Sequence, residues 1–145
     1  MSATHALNDE DRARCAAMSR WLATASILGT LALCCALVIA LGYIAQAWRD
    51  EALGFALLVL VLTPLERYLA LRLHFDAGLF ADLASGRIAD LTALDAGLAG
   101  LGVRNTPQRL RTLDDRLAGS QRLWRFHATV VVLMAACALI AAVFA

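Results

Sequence analysis

Apolar side chains are unevenly spread along this chain. They gather into runs from which charge is missing altogether. Residues 21–48 and 128–145 carry no charged side chain, and residues 52–65 form a third, shorter run. A bilayer core of about 30 Å takes about 20 apolar residues of helix. The first run exceeds that and the last approaches it, whereas the middle one reaches only about 21 Å. The helical pattern continues past the middle run through Leu65, Tyr68, Leu69, Leu71 and Leu73. A second span is therefore expected over 52–72, with Glu66 and Arg67 near one membrane face and a kink at Pro64, which lacks a backbone donor. The fold class that follows is an all-α integral membrane protein with transmembrane helices at 21–48, 52–72 and 127–145.

Two polar stretches flank these spans. Residues 1–20 read as an amphipathic arm: Asn8 can cap a helix whose first turn holds Asp9, Glu10 and Asp11, and Cys15, Met18 and Leu22 share a face. The arm either packs beneath the bundle or frays. Residues 73–126 read as a helical hairpin. Ser85-Gly86 is a soft break, the run 100–105 is a glycine loop, and Thr106-Pro107 is a helix start. Leu91, Leu94 and Leu98 before the loop, and Leu110, Leu113 and Leu117 after it, form matching seams that make this hairpin the candidate interaction surface. Its first arm carries Asp82, Asp90 and Asp95 against Arg87, an acidic face that suits protein contact better than an anionic leaflet.

Small residues recur on two of the spans. Ala25, Gly29, Ala32, Ala36 and Ala40 lie on the first, Ala138 and Ala142 on the third, together with Cys137, Ala141 and Ala145. Such stripes let helix backbones approach closely where lipid supplies no hydrophobic drive. The second span, with Phe55, Leu57, Leu58, Leu60 and Leu62, shows no small face and is expected either to be more lipid-exposed or to pack by bulk.

Charge sets the orientation. The 13 basic residues are all arginine, as a GC-rich bacterial genome would write them, and the net charge of +1 gives no reason to expect nucleic acid. Arg12, Arg14 and Arg20 precede the first span, and nine arginines fall between the second and third. The positive-inside rule places both segments in the cytoplasm, so the N-terminus is inside and the C-terminus outside a plasma (inner) membrane. Ala45-Gln46-Ala47 looks like a signal cleavage site, but the apolar run before it is too long and its leader too acidic, so the first helix is expected to be retained. Cys15, Cys34, Cys35 and Cys137 have no disulfide spacing and read as small buried hydrophobes.

The only concentrated polar chemistry runs from Pro64 to Asp76. Glu66, Arg67 and His74 form a candidate intramembrane polar site, because an ionisable residue inside a span is a functional candidate by default. Glu66 and His74 lie two turns apart, and a proton relay between them is one reading. The simpler one lets Glu66 and Arg67 snorkel to the interface and pair with Arg122 or Arg125. His5, His74 and His127 sit on different elements without ligand spacing, so no metal or cofactor is expected, and no phosphate loop or nucleophile motif is present. The expected function is therefore non-enzymatic: an accessory or scaffolding subunit of a larger membrane assembly, partnered by the lipid bilayer and by copies of itself or another membrane protein. The alternative is a homo-oligomeric channel or proton-conducting element centred on Glu66.

Overall fold

The computed structural model describes residues 7–45, 48–100 and 112–144. All regular structure among them is helical: α1 (Asp9–Ala23), α2 (Ala25–Ile44), α3 (Asp50–Ser85), α4 (Leu91–Gly100) and α5 (Leu113–Val143). Three stretches are long and apolar enough to cross a membrane: α1 and α2 taken together, α3, and α5. The protein is an all-α, multi-pass membrane protein.

α1 starts where the sequence places its cap, with the Asn8 side chain accepting from the Asp11 amide at 2.7 Å. The arm does not fray. It passes through Thr24 into α2 with helical backbone, and its buried face (Cys15, Met18, Leu22) continues into that of α2 (Ala25, Gly29, Ala32, Ala36, Ile39). The steps alternate between three and four residues from Cys15 to Ile39, the spacing of a coiled-coil seam.

α3 is one continuous helix of 36 residues, about 54 Å long. It runs unbroken through Pro64 and ends at Gly86, whose φ of 74° needs a residue without a Cβ. Residues 73–85, expected in a separate hairpin, are thus the second half of the second membrane helix. α3 is also the central helix, packing on α1, α2 and α5. The expectation that it has no small face is corrected: Ala52, Ala56 and Val59 point inward, while Phe55, Leu57 and Leu58 point outward.

Two apolar clusters stack along the bundle. The upper one joins Ala32, Ala36 and Ile39 to Ala56, Val59, Val131, Met134 and Cys137. The lower one joins Cys15, Met18 and Leu22 to Leu73, Phe80, Leu83, Leu94, Leu113 and Leu117. Exposed large apolar side chains encircle the upper storey, from Ile27 to Ile44, Phe55 to Leu65 and Phe126 to Phe144, while Tyr68, Leu71 and Phe75 are exposed below it. The exposed arginines Arg20, Arg67, Arg72, Arg122 and Arg125 begin where that belt ends. This change from apolar to arginine-bearing surface is the pattern of a membrane–water boundary. Trp21 and Trp124 mark it, their rings 4.7 Å apart, and the Trp124 indole donates to Thr24 Oγ1 at 3.3 Å. At the far end the Trp48 indole donates to the Ile39 carbonyl at 3.0 Å.

The interaction seam is only partly as expected. Leu94, Leu113 and Leu117 are buried together and Leu91 packs on them, in the lower core of the chain itself. The Leu98 side chain, Leu110 and the Thr106-Pro107 start lie outside the described residues. The described start of α5 is Leu113, where Thr112 and Asp115 form a reciprocal capping box. Asp95 of α4 and Arg116 of α5 form a buried ion pair at 2.6 Å. Of the small stripes, Ala25, Gly29, Ala32 and Ala36 are buried, Ala40 and Ala138 are half-buried, and Ala142 is exposed. On α5 the packing positions are Cys137 and Ala141, one residue away from Ala138 and Ala142.

Candidate functional site

The most polar point of the membrane-spanning interior lies where the two storeys meet. α3 turns Glu66 inward at a position where its seam otherwise carries Val59, Leu69 and Leu73. α5 turns His127 inward among Val130, Val131 and Ser120. The Glu66 side chain is 1% exposed and that of His127 0%, and His127 Nε2 lies 2.8 Å from Glu66 Oε1. An ionised carboxylate only accepts, so the imidazole donates from Nε2. That tautomer leaves Nδ1 as an acceptor, and Nδ1 has no hydrogen-bond partner among the described residues. An imidazolium would bury an N–H donor there instead, which is the costlier orphan because it carries charge.

Arg67 completes the layer from outside. Its Nε donates to Glu66 Oε2 at 2.6 Å and its Nη2 to the Gly29 carbonyl at 2.5 Å. The side chain is 42% exposed, so the guanidinium reaches the buried acid while its far side stays at the surface. Gly29 makes this approach possible: a Cβ there would stand 2.9 Å from Arg67 Nη2 and 3.3 Å from Glu66 Oε1. One carboxylate thus ties α3 to α5 directly and to α2 through Arg67. Its charge is balanced by one guanidinium, the arrangement that makes a buried charge tolerable in low dielectric.

Of the three polar candidates, Glu66 and Arg67 are brought together and His74 is not. His74 is exposed on the outer face of α3. Eight residues turn a helix through about 800°, which leaves the two side chains about 80° apart rather than on one face. Nor does Glu66 snorkel towards Arg122 or Arg125, both of which are exposed on α5. The partner that sequence reasoning missed is His127. It is 61 residues away, and its signal was its place in the 3-4 repeat Leu113, Leu117, Ser120, Trp124, His127, Val131, Met134 along α5.

The arrangement faces one side. Above the layer the seam is filled by Ala32, Ala36, Val59, Val131 and Met134, and below it Arg67 reaches the surface. Among the described residues no group of three His, Cys, Asp or Glu side chains comes together as metal ligands would. No protein-family model matches the chain, and neither a curated protein nor a solved structure is significantly similar to it.

Proposed function

We propose that this protein is a non-enzymatic subunit of the bacterial inner membrane that takes part in a larger membrane assembly through helix–helix packing. In this reading the N-terminus and lower storey lie in the cytoplasm and the C-terminus outside. The observation that carries it is a second small-residue stripe, on the outward side of the first half of α2. The inward face, Ala25 to Ala36, packs on α3 and α5 within the chain. The outward face keeps Ser26, Thr30 and Cys34 exposed at four-residue spacing, and the two hydroxyls bond back to the carbonyls of Ala23 and Ser26. A second helix can approach closely there without leaving a polar group unpaired in lipid.

The test is purification of the tagged protein in mild detergent at native expression level, with mass and composition read together. Thr30→Leu with Cys34→Leu should release the partner while the thermal transition stays in place. A lone wild-type protomer with no companion would refute the assembly role. Oxidation of wild-type membranes separates the partner classes, because copies meeting on this face cross-link through Cys34 and a foreign partner gives no such dimer.

The second reading, a proton-conducting element centred on Glu66, draws on the burial of the Glu66–His127 pair. It predicts proton flux in liposomes that Glu66→Gln abolishes with assembly intact. The packed apolar seam above the pair favours the scaffold.

A further inference from the structure

An open cleft of about 430 Å³ separates α1 from α5 below the paired indoles, with Arg14, Ala17, Trp21, Asp114, Ala118 and Gln121 among its walls. Both helices run toward the apolar belt, so a residue one turn further on along the same face stands nearer the membrane. One turn on from Ala17 is Arg20, from Ala118 is Arg122 and from Gln121 is Arg125, all three exposed. The membrane-side mouth of the cleft is therefore flanked by three guanidiniums from two helices. None of them has an ion-pair partner among the described residues. Their neighbours do: Arg14 is held by Asp114, Arg67 by Glu66 and Arg72 by Asp76. The nearest acid along α1 is Asp11, about 13 Å behind Arg20, and along α5 it is Asp115, about 10 Å behind Arg122. Both distances exceed a Debye length of about 8 Å, so these acids do not cancel the positive potential at the mouth.

We infer that the mouth of this cleft binds the headgroup of an anionic phospholipid. The indole pair supplies the reference level. The Trp124 indole donates to Thr24 Oγ1 at 3.3 Å with Trp21 packed against it, which holds both rings at the start of the apolar belt, where indoles meet headgroups. A lipid lying against α2 and α5 with its chains in that belt brings its phosphate down to Arg20, Arg122 and Arg125. Arginine matches that group better than a point charge does, because its planar fork gives two parallel N–H bonds to phosphate oxygens. Basic pockets between membrane helices hold anionic headgroups in this way. The rest of the headgroup then faces the cleft. A glycerol headgroup puts hydroxyls there, against the Gln121 amide. An ethanolamine or choline headgroup puts a cation among arginines, and the one carboxylate lining the cleft, Asp114, is already taken by Arg14. This inference rests on the indole pair lying at the membrane surface and is independent of what the protein assembles with.

The experiment is lipid exchange on the full chain. Purified protein is incubated with vesicles holding equal glycerol and ethanolamine phospholipid with identical acyl chains, re-isolated, and its retained lipids are quantified by mass spectrometry. Wild type should retain glycerol lipid over ethanolamine lipid by about tenfold, the scale of one to two arginines at an anionic surface. Arg20→Gln with Arg125→Gln should bring that ratio near one, and Arg20→Lys with Arg125→Lys should keep most of it. Arg49→Gln with Arg87→Gln removes the same charge away from the cleft and should leave the ratio unchanged. Circular dichroism before and after exchange identifies any variant that has unfolded, and Arg122→Gln alone, a single exposed change, should give an intermediate ratio. Equal retention by wild type, preference for the ethanolamine lipid, an unchanged ratio in the folded Arg20→Gln and Arg125→Gln double variant, or an equal fall in the Arg49 and Arg87 control would each overturn the assignment. So would competition by soluble glycerophosphoglycerol as strong as that by the vesicle lipid, which would make the ligand a free solute.

Discussion

At the scale of single residues, Glu66 and His127 should respond to substitution unequally. His127→Ala removes the donor to Glu66 Oε1 and leaves a carboxylate that is 1% exposed short of a partner. Arg67 still balances the charge, so the loss of this hydrogen bond to a buried charged group should cost about 2–3 kcal/mol. Glu66→Gln keeps an acceptor for the imidazole and frees Arg67 to turn to the surface, so it should cost about 1–2 kcal/mol, the size of a net hydrogen bond. Replacing both by leucine should recover part of the His127→Ala loss. Denaturant titrations in one detergent, read by circular dichroism, rank the three, and a His127→Ala variant as stable as wild type would show that the pair does not hold the helices. Gly29 is tested through its coupling to Arg67. A methyl at position 29 displaces the guanidinium from the Gly29 carbonyl, so Gly29→Ala and Arg67→Ala remove the same contact. The double variant should therefore be no less stable than the worse single one, and full additivity would separate the two residues. Glu66 stood out in the sequence because a carboxylate is rare inside a span. His127 did not, because it sits at the edge of a charge-free run where a histidine passes for an interface residue. Pairing across 61 positions depends on how α3 and α5 align, and no local pattern contains that alignment.

At the scale of elements, the sequence made the helices visible and obscured how they meet. The charge-free runs mark three spans, and the Asn8 cap and the Ser85-Gly86 stop are where the residues suggest. The packing faces were harder to read because the buried positions of α2 and of early α3 are small: Ala25, Gly29, Ala32, Ala36, Ala52 and Ala56. Within an apolar span, such residues stand out neither as more nor as less hydrophobic than those facing lipid. The lower storey obeys the ordinary rule of large apolar side chains inside, and its substitutions should be costlier. Leu73→Ala and Leu83→Ala, both fully buried there, should each cost about 2–5 kcal/mol. Asp114→Asn, which loses only an exposed bridge to Arg14, should leave the denaturation midpoint essentially unchanged. The docking of α1 can be followed through Cys15. Burial pushes its thiol up from the ordinary value, with Asp11 adding to the effect and Arg14 opposing it. The thiolate therefore forms only at higher pH than in a free cysteine, and at neutral pH a hydrophilic maleimide should leave Cys15 unmodified in folded protein. Leu22→Ala should speed labelling at fixed pH by loosening α1. Equal rates in wild type and in the denatured chain would mean that α1 is undocked.

At the scale of the whole molecule, one asymmetry orients everything else. The lower storey holds the exposed arginines of α1, α3 and α5, while the opposite end holds Arg49 beside Asp50 and Glu51 and little other charge among the described residues. The same asymmetry places the polar layer. Glu66 and His127 lie at the storey boundary, so Arg67 can reach the buried acid from the arginine-rich side while remaining 42% exposed. Deeper in the bundle that reach would fail, and the carboxylate would lose its countercharge in low dielectric. The arginine-rich end and the buried site are therefore coupled through Arg67. The positive-inside rule predicts the lower storey in the cytoplasm. In intact cells, Arg49→Cys should react with an impermeant maleimide, whereas Arg122→Cys should react only after permeabilisation. Both sites are exposed, so a difference in labelling reports side and not burial. Labelling of Arg122→Cys in intact cells would reverse the topology. Changing Arg122 and Arg125 together to glutamate should produce a mixed population, because the arginines that bias insertion are among those that close the boundary.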